Sequence, residues 1–435
     1  MNRIVWTRGR IAAAALLAAA AVLGVVSRTV WYQDTIGWRV SALISRAYLS
    51  VRPPSARAFT PNPTLAAMVQ QTLEAYTPSA TTSPEPVEGP TATPQATGTA
   101  TPIPTPLPES VYLEGSVFEY QGLNNCGPAN LAMALTFWNW QGDQRPVAAF
   151  TKPNRDDKNV MPYELAAFVE DETDLQVILR VGGDLALLKR LLAAGFPVLV
   201  EKGYDIARSG MGWYGHYQVV LGYDDARARF TAHDSYVGEN QPVSYDRFES
   251  AWRHFNYTYM VIFPPEREAE VRALLGPASD ETTAIQMAAQ RASEEIFRLE
   301  GRDQFFAWFN RGSSLVLLQD YAGAAAAYDQ AYSLLYSLGL DDLAYPWRIL
   351  WYETGPYFAY FYTGRYNEVY SLATGNLDES NPEKPQLEES LYWRGLAREA
   401  LGDFDGAASD LRLSLDYHPD FAPSLAALAR MGVSP

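Results

Sequence analysis

Apolar and polar positions change rhythm along the chain, and each change marks a segment of different physical character. Ile11 to Val26 is a nearly uncharged run of Ala, Leu and Val behind Arg3, Arg8 and Arg10, with Trp31 and Tyr32 close after it. This predicts a signal anchor or signal peptide over residues 1–32. The run is shorter than the ~20 residues that span a bilayer comfortably, but no small-residue cleavage site follows it, which favours an uncleaved anchor. Amphipathic stretches such as Val40 to Val51 predict a juxtamembrane helical segment over residues 33–76. From residue 77 to 109, Pro, Thr, Ser, Ala and Gly dominate. That composition buries too little apolar surface to order itself and predicts a disordered stalk.

Beyond residue 110 the periodicity of folded chain sets in. Behind Cys126, the residues Leu131, Ala134, Leu135 and Trp138 recur at the i, i+3, i+4, i+7 spacing of a helix face. The helix therefore starts at Cys126, with Asn124 or Asn125 as its cap and Pro128 in its first turn. Asp184 predicts the cap of a second helix carrying Leu185, Leu188, Leu191 and Leu192; Gly195 ends it, and Phe196 to Val200 reads as a short buried strand. Gly203, Gly210, Gly212, Trp213 and Gly215 predict a flexible loop, with Trp213 and Gly215 as candidate substrate contacts. His216 to Tyr223 reads as a buried strand, Asp224 to Ala226 as a turn, and Arg227 to Asp234 as the returning strand. A three-residue loop centred on Asp225 would set Tyr223 opposite Arg227 and His216 opposite Asp234, with their Cβ atoms roughly 4.5 to 5.5 Å apart.

After residue 265 the pattern becomes repetitive. Gly312, Asp320, Tyr321, Ala324 and Ala331 recur in altered form as Gly395, Asp403, Phe404, Ala407 and Pro419. A looser middle copy lies around Tyr360, Gly364, Tyr366 and Val369. Small residues let paired helices approach, and three such units can bury a continuous core. The expected domains are thus 110–265, of mixed helix and strand, and 266–435, all helical.

Composition narrows the chemistry. A net charge of −16 on 435 residues argues against nucleic acid or an anionic lipid surface as partner. No phosphate-binding glycine loop or metal-ligand cluster appears, so neither a cofactor nor a metal is expected. Cys126 is the only cysteine, which excludes an intramolecular disulfide and weakens a structural zinc site. At a helix start its thiolate is favoured by the positive end of the dipole, and Gly127 leaves room for a substrate backbone. Four histidines could serve as its base. His216 shares a hairpin with Asp234, a carboxylate that could fix the imidazole tautomer. His233 is expected to be solvated on the opposite face, His254 belongs to an amphipathic segment with Trp252 and Phe255, and His418 lies in the repeats.

Gln121, the segment Cys126 to Ala129, the Gly-His-Tyr-x-Val-Val-x-Gly-Tyr run from Gly215 to Tyr223, and Asp234 with nearby Gly238 together resemble the papain-like cysteine peptidases of the bacteriocin-processing, double-glycine-leader type, in free-standing form. The resemblance covers about Val111 to Pro265. It implies an α+β papain-like domain in which Cys126 is the nucleophile, His216 the general base, Asp234 its orienting partner and Gln121 the oxyanion donor. Two departures stand out. Gln121 precedes Cys126 by one residue fewer than is usual in papain-like enzymes, leaving Asn124 or Asn125 as alternative donors, and Ser235 follows the aspartate where the family commonly has proline. The helical segment resembles tetratricopeptide repeats.

The expected protein is a single-pass, membrane-anchored, extracytoplasmic cysteine peptidase acting on peptide or isopeptide amides, or a secreted one if the N-terminal segment is cleaved. Its repeats would bind a protein partner. The same residues would also suit an acyl transferase, and a catalytically idle peptide-binding scaffold is the third reading. Leader removal is not carried over, because the transporter segments that accompany it are absent from this sequence.

Overall fold

The computed structural model describes residues 106–206, 212–340, 345–377 and 386–435. The expected anchor, the juxtamembrane segment and the stalk up to residue 105 lie outside them. The last residues assigned to the stalk are held against the folded chain: Tyr223 Oη donates to the Pro108 carbonyl at 2.8 Å, and the Asp225 N–H donates to that of Glu109 at 2.9 Å. Among the described residues no helix is long and apolar enough to cross a membrane.

The first part of the described chain is built on an antiparallel seven-stranded sheet, ordered β2-β7-β3-β4-β5-β6 with β1 paired to β4. The strands are β1 (Ser110–Tyr112), β2 (Gln176–Arg180), β3 (Val198–Ile206), β4 (Gly212–Asp224), β5 (Arg229–Asp234), β6 (Gly238–Ser244) and β7 (Tyr259–Phe263). Period-2 alternation divides their side chains between two layers. Leu199, Val219, Leu221, Met260 and Ile262 pack with helices α1 (Cys126–Thr136) and α3 (Pro162–Glu172), which precede and follow the short α2 (Gln144–Thr151). Val198, Val200, Val220 and Val261 pack with α4 (Leu185–Ala193), α5 (Tyr245–Arg253) and α6 (Glu268–Leu275). The Asp184 carboxylate caps α4 by accepting the Leu187 N–H.

β3 and β4 are longer than their hydrophobic pattern suggests. Pairing continues from Val198 opposite Val220 through Gly203 opposite Gly215 to Ile206 opposite Gly212, where a flexible loop was expected. Gly203 and Gly215 serve this ladder by leaving space above it. A Cβ on Gly203 would lie 1.8 Å from the His254 ring, and one on Gly215 would lie 2.6 Å from Phe255 and 2.9 Å from Tyr352. Gly215 therefore faces packed rings, which corrects its expected role as a substrate contact.

The C-terminal part is helical: α7 (Glu281–Ile296), α8 (Gly301–Leu317), α9 (Tyr321–Ser337), α10 (Gly355–Tyr362), α11 (Tyr366–Asn376), α12 (Glu388–Ala400), α13 (Phe404–Tyr417) and α14 (Ala422–Arg430). The hairpins α8/α9 and α12/α13 use one design twice. Asp320 and Asp403 cap the second helix of each by accepting the N–H of Gly323 and Gly406 at 2.9 and 3.0 Å. In each first helix a glycine admits a side chain sixteen positions later: Tyr328 would lie 2.7 Å from a Cβ on Gly312, and Leu411 3.0 Å from one on Gly395. Replacing Asp403 with alanine should cost about 1 kcal/mol through loss of the cap, read as a lower midpoint in urea denaturation at unchanged slope.

The sheet and the helices share a core. Trp213, at the start of β4, is fully buried and stacks on Phe255, with ring centroids 5.7 Å apart and planes within 7°. Phe306 of α8 and Tyr352 each lie 5.9 Å from its ring, and Arg348 Nη1 donates to its carbonyl at 2.8 Å. Asn310 of α8 donates to the Arg253 carbonyl at 2.7 Å. Because α6 also packs on the sheet through Val271 and Leu275, packing does not change at residue 265.

Candidate active site

Cys126 is the first residue of α1, as its periodicity predicts, but the capping differs from expectation. Asn125 occupies the N-cap position and makes no side-chain cap hydrogen bond, so none of the first-turn N–H groups is occupied by it. The asparagines instead hold the loop. Asn125 Nδ2 donates to Gln144 Oε1 at 3.1 Å and Asn124 Nδ2 to the Asp157 carbonyl at 2.9 Å. Buried Lys152 ties the same loop by donating to the carbonyls of Asn124, Arg155 and Asp157; burial brings its ammonium down to about 8 against the opposing charge of Asp157.

His216 and Asp234 meet, although not in the expected register. The turn holds four residues, with Asp224 opposite Arg229 and Tyr223 opposite Phe230, because Ala228 enters the left-handed region at φ 45°. This displaces the pairing by three positions, and a bulge between Val220 and Gly222 returns one. The net offset of two preserves the face. With Val219 opposite His233, the next position along sets Gln218 against Asp234, and His216 lies two residues further on the same side of β4.

The Asp234 carboxylate accepts from side chains and from the backbone of the following turn. Oδ1 accepts His216 Nε2–H at 2.9 Å, the Tyr236 N–H at 2.9 Å and the Val237 N–H at 3.0 Å; Oδ2 accepts from Gln218 Nε2. His216 and Asp234 are each only 1% exposed. Burial alone would raise the Asp234 carboxyl, but the charge and hydrogen bond of His216, with Lys202 and the Val237 N–H, hold it well below the usual carboxylate range. For His216, burial opposes protonation. The charge and hydrogen bond of Asp234 outweigh it, Cys126 adds a further hydrogen bond and charge, and the imidazole rises to about 9. With Nε2 engaged by Asp234, Nδ1 is the ring nitrogen available to Cys126.

Gln121 joins this group through Ser235 and Asn130. Asn130 Nδ2 donates to the Cys126 carbonyl at 2.8 Å and to Ser235 Oγ at 2.7 Å, and Ser235 Oγ donates to Gln121 Oε1 at 2.8 Å. Aromatic rings form the other border. Tyr204 lies edge-on to His216 at 4.9 Å and stacks with Tyr214 at 5.3 Å, and Tyr236 lies 6.4 Å from both tyrosines. Buried Lys202 stands opposite His216 in the β3–β4 ladder, its ammonium lowered to about 8 by burial despite Asp234.

Sequence reasoning missed Gln218, Ser235, Asn130, Tyr204, Tyr214 and Tyr236 as neighbours of the site. The parity of β3 and β4 would have found Tyr204, Tyr214 and Gln218 had both strands been read at full length. Two expected substrate contacts are corrected. Trp213 is buried against Phe255 and α8, with Nε1–H donated to His254 Nδ1 at 3.0 Å. Gly127 is buried too: a Cβ there would touch Leu165, Tyr217 and Val160, each at 3.4 Å.

The remaining histidines are accounted for elsewhere. His233 is buried rather than solvated, edge-on to Phe118, with Nδ1 accepting the Asn240 N–H. His254 stacks on Phe306 at 3.8 Å, and burial drives its imidazole well below the ordinary value. His418 Nδ1 lies 3.1 Å from Glu388 Oε1, and these two residues with Glu164 bring possible ligand atoms within 4.8 Å of one another. Glu164 is engaged there by the Met161 N–H at the start of α3.

Residues 111–260 match the profile of the Peptidase_C39 like family, so this part of the chain is a C39-like peptidase domain of papain-like α+β fold, followed by a helical region. The match points to cysteine peptidase activity. A crystal structure from Bacillus anthracis, described as a C39-like peptidase, is 17% identical over 35% of this chain and 96% of its own, with a TM-score of 0.29. No curated protein matches the chain.

Proposed function

We propose that the protein hydrolyses peptide or isopeptide amides through Cys126, His216 and Asp234. The observation that carries this reading is the buried His216–Asp234 hydrogen bond, with Cys126 as the other partner of the imidazole. Asp234 holds the proton on Nε2, so Nδ1 takes the proton of the thiol, and the resulting thiolate attacks the substrate carbonyl. The Cys126 N–H and the Gln121 amide receive the developing oxyanion. The imidazolium protonates the departing amine, and water activated by the neutral imidazole then cleaves the thioester.

The protein is further proposed to be anchored by residues 1–32 and held away from the membrane by the Pro/Thr/Ser-rich segment, with its folded domains extracytoplasmic. The twice-used aspartate cap and glycine packing of α8/α9 and α12/α13 support a tetratricopeptide-type reading of the helices, which would recruit a protein partner.

Because Cys126 is the only cysteine, iodoacetamide reads it alone. Full-length protein at pH 6 should be alkylated at least roughly tenfold faster than free cysteine, the margin expected of a thiol whose proton a neighbouring imidazole takes. His216→Ala should lose that advantage with its circular dichroism unchanged. Alkylation at the free-thiol rate, indifferent to His216, would overturn the proposal and favour a peptide-binding scaffold.

A further inference from the structure

We infer that Ser235 is a positioning residue for the oxyanion donor: its hydroxyl anchors Gln121 Oε1 and thereby leaves the Gln121 amide N–H groups for the oxygen that becomes anionic when Cys126 attacks a carbonyl. The inference rests on the reading of Cys126 as a nucleophile. Its basis is the direction of the hydrogen bonds around a side chain with no access to water, since Ser235 is 0% exposed.

A serine hydroxyl has one proton to give. Asn130 Nδ2 donates to Ser235 Oγ at 2.7 Å, so the hydroxyl acts as acceptor there and its own proton goes to Gln121 Oε1 at 2.8 Å. An amide held by its oxygen turns its nitrogen away from that anchor, and among the described residues no group accepts from Gln121 Nε2. The backbone adds a second tether, because the Gln121 N–H donates to the Ser235 carbonyl at 3.0 Å. Held at both ends, the glutamine loses its rotamer freedom during folding rather than during the reaction. Asn130 also donates to the Cys126 carbonyl, so a continuous set of bonds joins the nucleophile's backbone to the amide. The turn that carries Ser235 is the one whose N–H groups hold Asp234. It thus orients the base on one side and the oxyanion donor on the other. Proline, common at this position in the resembled family, has no hydroxyl with which to do this.

Two reagents separate this role from a structural one. Iodoacetamide alkylates the thiolate by displacement at carbon and forms no oxyanion. p-Nitrophenyl acetate reacts through a tetrahedral oxyanion: Cys126 Sγ bonds to the acetyl carbon, the ester C–O bond breaks, and its electron pair leaves with p-nitrophenolate. In full-length Ser235→Ala, acetylation should fall roughly tenfold to a hundredfold while alkylation stays within about twofold of wild type. Gln121→Ala should show the same selective loss, and the double variant should be no slower than Gln121→Ala alone, because one acts through the other. Ser235→Gly removes the same hydroxyl and replaces Ser235→Ala if the latter does not fold. A wild-type acetylation rate in folded Ser235→Ala or Ser235→Gly, or losses that add in full in the double variant, would overturn the inference while leaving Cys126 an activated nucleophile. A wild-type protein that reacts with neither reagent faster than free cysteine overturns the underlying reading, and this inference with it.

Discussion

Asp234→Asn should lower acyl transfer to Cys126 at pH 7 by about 10³- to 10⁴-fold, the scale seen when the carboxylate orienting a catalytic imidazole becomes an amide. The cause lies in the balance of forces on His216. Burial opposes its protonation, and the charge of Asp234 with the hydrogen bond to it reverses that opposition and brings the imidazole to about 9. An asparagine supplies no charge. Burial then dominates, the imidazole falls below its ordinary value, and at pH 7 no imidazolium remains to partner a thiolate or protonate a leaving amine. The wild-type pH–rate profile should lose activity as pH rises through about 9. In Asp234→Asn that alkaline limb should move to below about 6.5. An unchanged limb would detach His216 from the proposed chemistry.

The same shift has a stability consequence with a definite sign. A histidine whose folded pKa lies above its unfolded value contributes stability that is complete below the unfolded value and lost as pH rises through the folded one. For His216 the window runs from 6.5 to about 9, corresponding to about 3 kcal/mol shared with its partners. Lys152 and Lys202, lowered to about 8 by burial, slope the opposite way at alkaline pH. The measurement is therefore the difference between wild type and Asp234→Asn in urea denaturation, which should shrink between pH 6 and pH 10.

The features legible in the sequence were those set by local periodicity. Cys126 at a helix start, Asp184 capping the Leu-rich helix and the recurrence of Asp320 as Asp403 each depend on neighbours within a turn or two. His216 and Asp234 were also paired by local reasoning, although Ala228 and the bulge after Val220 changed the count, because an error of two residues leaves a side chain on its face. What escaped was set by distant chain. Gly203 and Gly215 read as hinges because the rings of His254, Phe255 and Tyr352 that require them lie dozens of residues away. Trp213 read as a binding residue because its partners Phe306 and Arg348 belong to the helical region. Ser235 read only as a missing proline, since its bonds to Gln121 and Asn130 cross more than a hundred positions.

Trp213 makes the largest stability prediction. Trp213→Ala should destabilise the protein by about 3–5 kcal/mol, the range for deleting a fully buried large aromatic side chain. The loss falls where sheet and helices meet, among Phe255, Phe306 and Tyr352. It also removes the donor to Nδ1 of His254, a ring whose Nε2 is already buried with no partner among the described residues, and an abandoned buried polar atom costs a further ~1–3 kcal/mol where no water reaches it. Trp213→Phe keeps most of the packing and loses the donor, so it should fall between wild type and alanine. A substrate-contact role predicts a different pattern: weakened peptide binding with the urea midpoint intact. A core role predicts a lowered midpoint and, because Trp213 lies three residues before His216 on β4, an alkylation rate of Cys126 that falls in step with stability across the series. An alanine variant with wild-type stability would show that the helices do not brace the strand carrying His216.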